Sequence, residues 1–233
     1  MDARTETLQP GGGLIWPAAP GPAAPRPSLT RKAAAIRVLD VLLALALLLL
    51  LLPVFLLVAG VIRLEGPGPV LFSHRRIGRN GRGFGCLKFR TMSVDADRLL
   101  AELLARSSAH RLQWERDHKL RDDPRVTGIG AVLRRTSLDE IPQLFNVIRG
   151  EMSLVGPRPI VQAEVARYGR YYSDYMTVRP GVTGLWQISG RSDTSYRRRV
   201  ALDVWYTRRC SVRLYLFIIL RTPVCVAASR GSY

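Results

Sequence analysis

Two adjacent carboxylates, Asp139 and Glu140, stand among cations in the stretch Arg134 to Pro159, reading RRTSLDEIPQLFNVIRGEMSLVGPRP, in a chain that also carries a membrane-length apolar run. A carboxylate kept ionised there can attack an anionic electrophile that the cations draw in. A purely structural role competes, because Ser137 with Glu140 forms the capping-box pattern S-x-x-E and needs no catalytic explanation. Pro142 bears on the choice, since a helix tolerates proline only among its first free amides. With Ser137 as N-cap, Pro142 falls too deep; with Asp139 as N-cap it falls within the free-amide turn. The acidic pair then sits at a helix mouth, where the dipole stabilises a carboxylate by about 0.3 to 1 kcal/mol and the amides attract phosphate.

Cations that could accompany the pair lie elsewhere in the chain. Lys88 and Arg90 are two apart in a strand-like run and share a face, which suits a bound phosphate. A solvated face is the plainer reading of the same spacing. Arg158 is held between Pro157 and Pro159, two rings of fixed φ that limit the entropy lost in presenting a guanidinium. Arg179 to Gln187, with Gly190 and Arg191, forms a loop combining donors, glycines and Trp186. Gly78, Gly81, Gly83 and Gly85 lack the GxxxxGK[ST] pattern and a following helix start, so they read as turn glycines.

The elements that must position these residues sit in a strongly basic chain of 233 residues, with 35 Lys and Arg against 18 Asp and Glu and a formal net charge of +17. Such a charge suits nucleic acid, acidic lipid headgroups or phosphorylated small molecules. The length suits one catalytic-size domain plus a membrane element. Cys86, Cys210 and Cys225 form neither a CxxC pair nor an even disulfide set, which disfavours a zinc ribbon or a stapled secreted scaffold.

Residues 1–30 are rich in Pro, Gly and Ala and are expected to be a disordered tail. Residues 31–64 hold a membrane segment: 22 uncharged residues from Val41 to Ile62 would reach roughly 33 Å as one helix. The segment starts too late and runs too long for a signal peptide. Basic residues flank both ends, Arg31, Lys32 and Arg37 before it and Arg63, Arg75, Arg76, Arg79 and Arg82 after it, so both flanks favour the cytoplasmic side. Pro53 near the middle costs about 3 kcal/mol in a straight helix. A helix broken at Pro53 that enters and leaves on one face fits both facts; a single span with a tolerated proline is the alternative.

Residues 65–233 form the remaining domain, expected to be α/β in the α+β sense, compact and mostly helical. Asn80-Gly81 joins two predicted strands, Val70–Ile77 and Gly83–Thr91, in a β-hairpin. A packing helix starts near Ser93 or Asp95 with the stripe Leu99, Leu100, Leu103 and Leu104. A turn at Asp122 to Arg125 precedes a short helix around Val132 and Leu133. The run Leu214–Leu220 is too short to span and reads as an amphipathic surface helix.

Several ordered motifs then coincide: KFRTM at Lys88 to Met92, DDPRVTGIG at Asp122 to Gly130, the acidic-pair stretch, RPGVTGLWQISGR at Arg179 to Arg191, and a closing GSY. Together, from about Arg31 to the C-terminus, the chain resembles the bacterial sugar transferases, monotopic polyprenyl-phosphate sugar-1-phosphate transferases. The resemblance implies an enzyme at the cytoplasmic face of the inner membrane that moves a sugar-1-phosphate from a UDP-sugar to polyprenyl (undecaprenyl) phosphate and releases UMP. It implies Asp139 as nucleophile in a covalent phosphosugar intermediate, Glu140 as Mg²⁺ ligand, and Lys88, Arg90, Arg134, Arg158, Arg179, Gln187 and Arg191 as substrate-binding residues. It also implies a re-entrant segment broken at Pro53, inner-membrane lipid as a partner, and no nucleic-acid partner. Residues Ser189 to Tyr196 with Val200 to Asp203 lean toward galactose- or glucose-1-phosphate in exopolysaccharide, capsule or O-antigen assembly.

Two positions depart from the family pattern. Leu52 replaces the usual serine before the helix proline, removing a hydroxyl that could satisfy a freed carbonyl. Tyr206 to Ser211 lacks the Asn-Trp of Tyr-x-x-Asn-Trp-Ser, while Trp205 and the added arginines offer another interfacial anchor. Oligomeric state is not fixed by the sequence, and a homo-oligomer is compatible with it. The rival reading is a membrane-tethered basic protein that binds nucleic acid or anionic lipid, its Ser137–Glu140 box only a cap.

Overall fold

The structure, a computed structural model, describes residues 27–117, 120, 123–190 and 194–227. The tail expected over 1–30 lies outside the described residues as far as residue 26. Residues 27–30 already belong to the first helix, α1 (Pro27–Glu65). Within it, Arg31–Glu65 reaches a mean hydropathy of 3.3 and is long and apolar enough to cross a membrane. The helical backbone continues through Pro53. A proline removes one ladder hydrogen bond, a defect that an apolar helix can absorb locally.

One face of α1 is covered and the others are open. Asp40, Ala44, Val58 and Ile62 are buried at helical spacing, with Leu48, Leu51 and Phe55 half-buried between them. Leu49, Leu50 and Leu57, on other faces, are about 70% exposed (72%, 73% and 68%). The covered face is fixed to the domain at both ends. Near the start, Arg37 donates to the carbonyls of Val147 (2.6 Å) and Ile148 (2.8 Å). One turn on, Asp40 Oδ1 accepts from Ser153 Oγ, the Leu154 amide and the Tyr215 hydroxyl at 2.8–2.9 Å. At the far end, Arg90 donates to the carbonyls of Ile62, Gly66 and Pro67. Between them the Phe55 ring packs on Phe89 and Phe145, with centroids 4.8 and 5.9 Å away.

The hairpin forms where Asn80-Gly81 predicts it. β1 (Leu71–Ile77) and β2 (Gly83–Phe89) pair antiparallel with Ile77 opposite Gly83 and Leu71 opposite Phe89. Asn80 and Gly81 take φ of 59° and 73°, the left-handed pair that returns a tightly twisted hairpin. β2 stops at Phe89 rather than Thr91. Helices α2 (Ala96–Arg106) and α3 (Ser108–Asp117) follow and pack on each other. Helix α4 (Gly128–Thr136) is capped by Thr127, whose hydroxyl accepts from the Gly130 amide. Gly130 lies directly against the Thr91 carbonyl, where a Cβ has no room.

Helix α5 (Gln143–Arg149) leads into β3 (Ser153–Val155); α6 (Val165–Tyr168) and α7 (Tyr172–Met176) are single turns. β4 (Gly181–Thr183) pairs parallel with β3, a contact the sequence does not announce because three residues carry no readable period. Short α8 (Leu185–Ile188), α9 (Tyr196–Arg209) and α10 (Val212–Ala227) complete the described chain. α10 outruns the expected Leu214–Leu220, continuing through Arg221 and Pro223. Its inner side buries Tyr215 and Ile218, while Phe217, Leu220 and Val224 are exposed. The α+β class holds: helices dominate around two small two-stranded sheets.

Two cores result. One joins α1 to the domain through Ala44, Val58, Ile62, Phe89, Val147 and Ile218. The other gathers Ile77, Ile160, Tyr168, Tyr175, Val200 and Val204.

Asp40 is the main polar joint between α1 and the domain, and its loss strands three buried donors. Asp40→Ala should lower the unfolding free energy by about 3 kcal/mol and Tyr215→Phe by about 1 kcal/mol, measured by thermal melting in detergent micelles. Equal, small losses in both variants would show that the joint adds little.

Candidate active site

The acidic pair sits in neither of the two caps that the sequence offers. Ser137 takes φ 58° and ψ 17° and closes α4 as its C-cap, and its side chain makes no capping bond. The capping box is therefore not formed. Residues Leu138–Glu140 make a 3-10 turn whose amide bonds are backbone to backbone, Glu140 to Ser137 and Ile141 to Leu138, both at 3.2 Å. Asp139 is likewise no N-cap: that position before α5 is Pro142. Since the backbone satisfies its own amides through this turn, both carboxylates are released from local duty.

They are engaged by Lys88 instead. Its Nζ lies 2.9 Å from Asp139 Oδ2 and 2.8 Å from Glu140 Oε1. The Asp139 side chain is only 9% exposed, against 26% for Glu140 and 28% for Lys88. Lys88 reaches them because β2 is stitched to α5 by Asn146, which is fully buried. Asn146 Oδ1 accepts from the Leu87 amide at 2.9 Å and its Nδ2 donates to the Gly85 carbonyl at 2.7 Å.

The two acids differ electrostatically. Burial raises the Asp139 pKa above the usual aspartate value, with Lys88 and Arg134 pulling the other way and Glu140 adding to the rise. Burial also pushes on Glu140, but Lys88 and Arg158, with hydrogen bonds from Lys88 and Gln143, carry it below its ordinary value. Burial opposes the charge on Lys88, yet Glu140 and Asp139 together raise its pKa. The surroundings thus favour the charged forms of Glu140 and Lys88, while burial works against ionisation of Asp139 and Lys88 works for it.

The other expected residues separate into two groups. Arg134 joins the pair from the last turn of α4: its Nε donates to Thr91 Oγ1 at 3.0 Å and its charge acts on Asp139. Arg158 is exposed between buried Pro157 and Pro159, and its charge acts on Glu140. Its loop is fixed by close backbone packing of Gly156 against Gly181 and Gly184, where no Cβ fits. Arg90 points instead to the carbonyls at the end of α1, and Arg179 donates to the Gly150 carbonyl at 2.7 Å, near Arg37. Both arginines hold backbone carbonyls. Gln187 has a buried Oε1 without a partner among the described residues. Arg191 lies outside the described residues.

Asp203 was not singled out as a site residue, yet it faces this region from α9. It is buried, its Oδ2 accepts from Tyr168 at 2.7 Å, and burial raises its pKa to about 7 against the opposing pull of Tyr168, Arg158 and Arg199. Arg199 stacks over the Trp186 ring at 4.7 Å. A lone Asp gives no sequence signal of such burial.

A buried aspartate beside a cation, a second ionised acid and an exposed arginine form a layout for attack on a phosphate-bearing substrate. No cluster of three or more metal-ligating side chains occurs among the described residues.

The chain belongs to the bacterial sugar transferase family, whose pattern matches residues 31–229. It is 51% identical over 197 residues to an exopolysaccharide production protein, ExoY, of Sinorhizobium fredii, covering 84% of this chain and 87% of that one. It is 47% identical over 166 residues to the undecaprenyl-phosphate galactose phosphotransferase of Salmonella typhimurium, covering 71% of this chain and 35% of that longer protein. It is 40% identical over 205 residues to a UDP-glucose:undecaprenyl-phosphate glucose-1-phosphate transferase of Caulobacter vibrioides, covering 84% and 71%.

Lys88 lowers the Asp139 pKa, so removing its charge must raise it. Lys88→Met should move the Asp139 titration, followed by carboxyl carbon NMR, to higher pH, while Lys88→Arg should leave it near the original value. An unmoved titration in Lys88→Met would show that the contact does not govern ionisation.

Proposed function

We propose that the protein transfers galactose- or glucose-1-phosphate from a UDP-sugar to polyprenyl phosphate at the cytoplasmic face of the inner membrane, the first step of assembling a surface polysaccharide. The reading rests above all on Asp139: a buried aspartate, free of capping duty and paired with Lys88, in a chain whose relatives are named for this transfer.

In the first step an Asp139 oxygen attacks the sugar-bearing phosphorus. The bond from that phosphorus to the bridging oxygen breaks, and its electron pair leaves on UMP. In the second step a phosphate oxygen of polyprenyl phosphate attacks the same phosphorus, and the Asp139 carboxylate leaves with its electrons restored. Lys88 keeps Asp139 ionised before attack and offsets charge as it builds. Arg158 and Arg134 would face the phosphate oxygens, with Arg158 able to bind two at once.

The donor set fits Mg²⁺, which takes one or two carboxylates and completes its shell with substrate phosphates and water. Glu140, ionised and partly exposed, would hold the ion, with Asp139 adjacent. Bound there, it would offset diphosphate charge and improve the leaving group.

The contacts of α1 support re-entry. Arg37 and Asp40 near one end and Ile62 near the other bind the same domain, and both flanks carry basic residues. A span would place one of these ends across the bilayer from its partners.

With purified protein, Mg²⁺ and polyprenyl phosphate, UMP release over a panel of UDP-sugars should be fastest with UDP-galactose or UDP-glucose. Asp139→Asn should abolish it, and near-normal release by that variant would exclude the nucleophile. Glu140→Gln should lose at least about ten-fold and recover partly at high Mg²⁺; no recovery would remove Glu140 as the metal ligand. Single cysteines introduced at positions 20 and 80, with the native three replaced, should both resist an impermeant reagent in intact cells. Labelling at one position alone would establish a span.

A further inference from the structure

Outside the carboxylate site, α8, α9 and α10 enclose an open groove of about 480 Å³. Leu185, Ala201, Leu202, Trp205, Leu214 and Phe217 form its walls, and Arg198 is the one charged residue among them. Trp205 and Phe217 remain 42% and 52% exposed, large apolar surfaces that water does not favour. Arg209 lies over the Trp205 ring at 5.2 Å, so two exposed arginines border the apolar floor. An apolar trough with a cationic rim complements an amphiphile that has an anionic head.

Both surroundings of the groove are informative. On one side α10, which lines the groove with Leu214 and Phe217, packs on α1 through a different face, where the Tyr215 hydroxyl donates to Asp40. On the other, Leu185 follows Gly184, whose backbone lies against Gly156, two residues before Arg158. The chain at Leu185 thus links a wall of the groove to the loop that carries Arg158. The exposed leucines of α1 already offer bulk lipid a rounded helical surface. The groove between α8, α9 and α10 offers a concave apolar surface instead.

We infer that the groove holds part of the isoprenoid chain of the polyprenyl phosphate acceptor, delivering its phosphate toward Arg158. The inference rests on the transfer reaction proposed above. It adds a specific acceptor site, distinct from the general contact between the protein and its bilayer.

Ala201→Phe fills the groove without touching the carboxylate site. With full-length protein in vesicles of phosphatidylglycerol and phosphatidylethanolamine, the stoichiometric UMP burst, which needs no acceptor, should be unchanged in this variant. Its KM for polyprenyl phosphate should rise about ten-fold, the effect of losing roughly two buried methylenes, with kcat retained. An intact burst with an unchanged KM would overturn the groove assignment. So would a KM rise matched by weaker cosedimentation with the vesicles, because the groove would then hold bilayer phospholipid. Absence of the burst from the wild-type protein would instead overturn the proposed reaction, and the acceptor groove with it. A measurement on the wild-type protein avoids any folding defect of the variant. A polyprenyl phosphate carrying a diazirine on its chain should label residues of α9 and α10 and be displaced by unlabelled polyprenyl phosphate. Labelling confined to other elements, or equal displacement by phosphatidylglycerol, would overturn the assignment.

Discussion

A single ammonium shared by two neighbouring carboxylates is the constraint on which the site depends. Asp139 and Glu140 are close enough to repel strongly in a partly dehydrated setting, and Lys88 turns that repulsion into a stable charged trio. Removing one partner from such a cluster leaves uncompensated charge at a cost of roughly 3–5 kcal/mol where burial is deep. The surrounding structure therefore has to hold a strand and a turn in fixed relation. Asn146 does so by binding β2 backbone on both sides of its amide, and the Asn80-Gly81 turn sets the hairpin register that brings Lys88 to the correct height.

The membrane helix is tied into the same frame. Arg90, two residues after Lys88, holds the carbonyls that end α1, while Arg37 and Asp40 hold its beginning to α5 and β3. The residue that follows the lysine's strand thus also anchors α1. This places the charged trio at a defined position relative to α1, as the proposed transfer from a sugar nucleotide to a lipid phosphate requires.

Much of this was legible in the sequence, and the failures have physical causes. The hairpin followed from Asn80-Gly81, α4 in outline from the short helix expected around Val132 and Leu133, and the acidic pair from its contrast with a basic chain. Lys88, expected to serve a bound phosphate, lies between the two carboxylates, while Arg90 and Arg179 hold backbone carbonyls, because a long cationic side chain serves a phosphate, a carboxylate or a carbonyl equally well and only tertiary packing decides. The capping patterns at Ser137 and Asp139 misled for a related reason: a left-handed Ser137 ends α4 and a 3-10 turn satisfies the following amides through the backbone. Asp40 gave little warning, since one acid at the edge of an apolar run reads as the edge itself. Asp203 was hidden similarly, its importance arising from burial beside Tyr168 and from the field of Arg158.

The central claim is that Asp139 bonds covalently to the transferred phosphate. Intact-protein mass spectrometry after incubation with UDP-galactose or UDP-glucose and Mg²⁺, without acceptor, tests it most directly. The account predicts a gain of one hexose phosphate that maps to Asp139, vanishes when polyprenyl phosphate is added, and never forms in Asp139→Asn. Turnover of the wild-type protein with no adduct under rapid quenching, or an adduct that persists in Asp139→Asn, would contradict it.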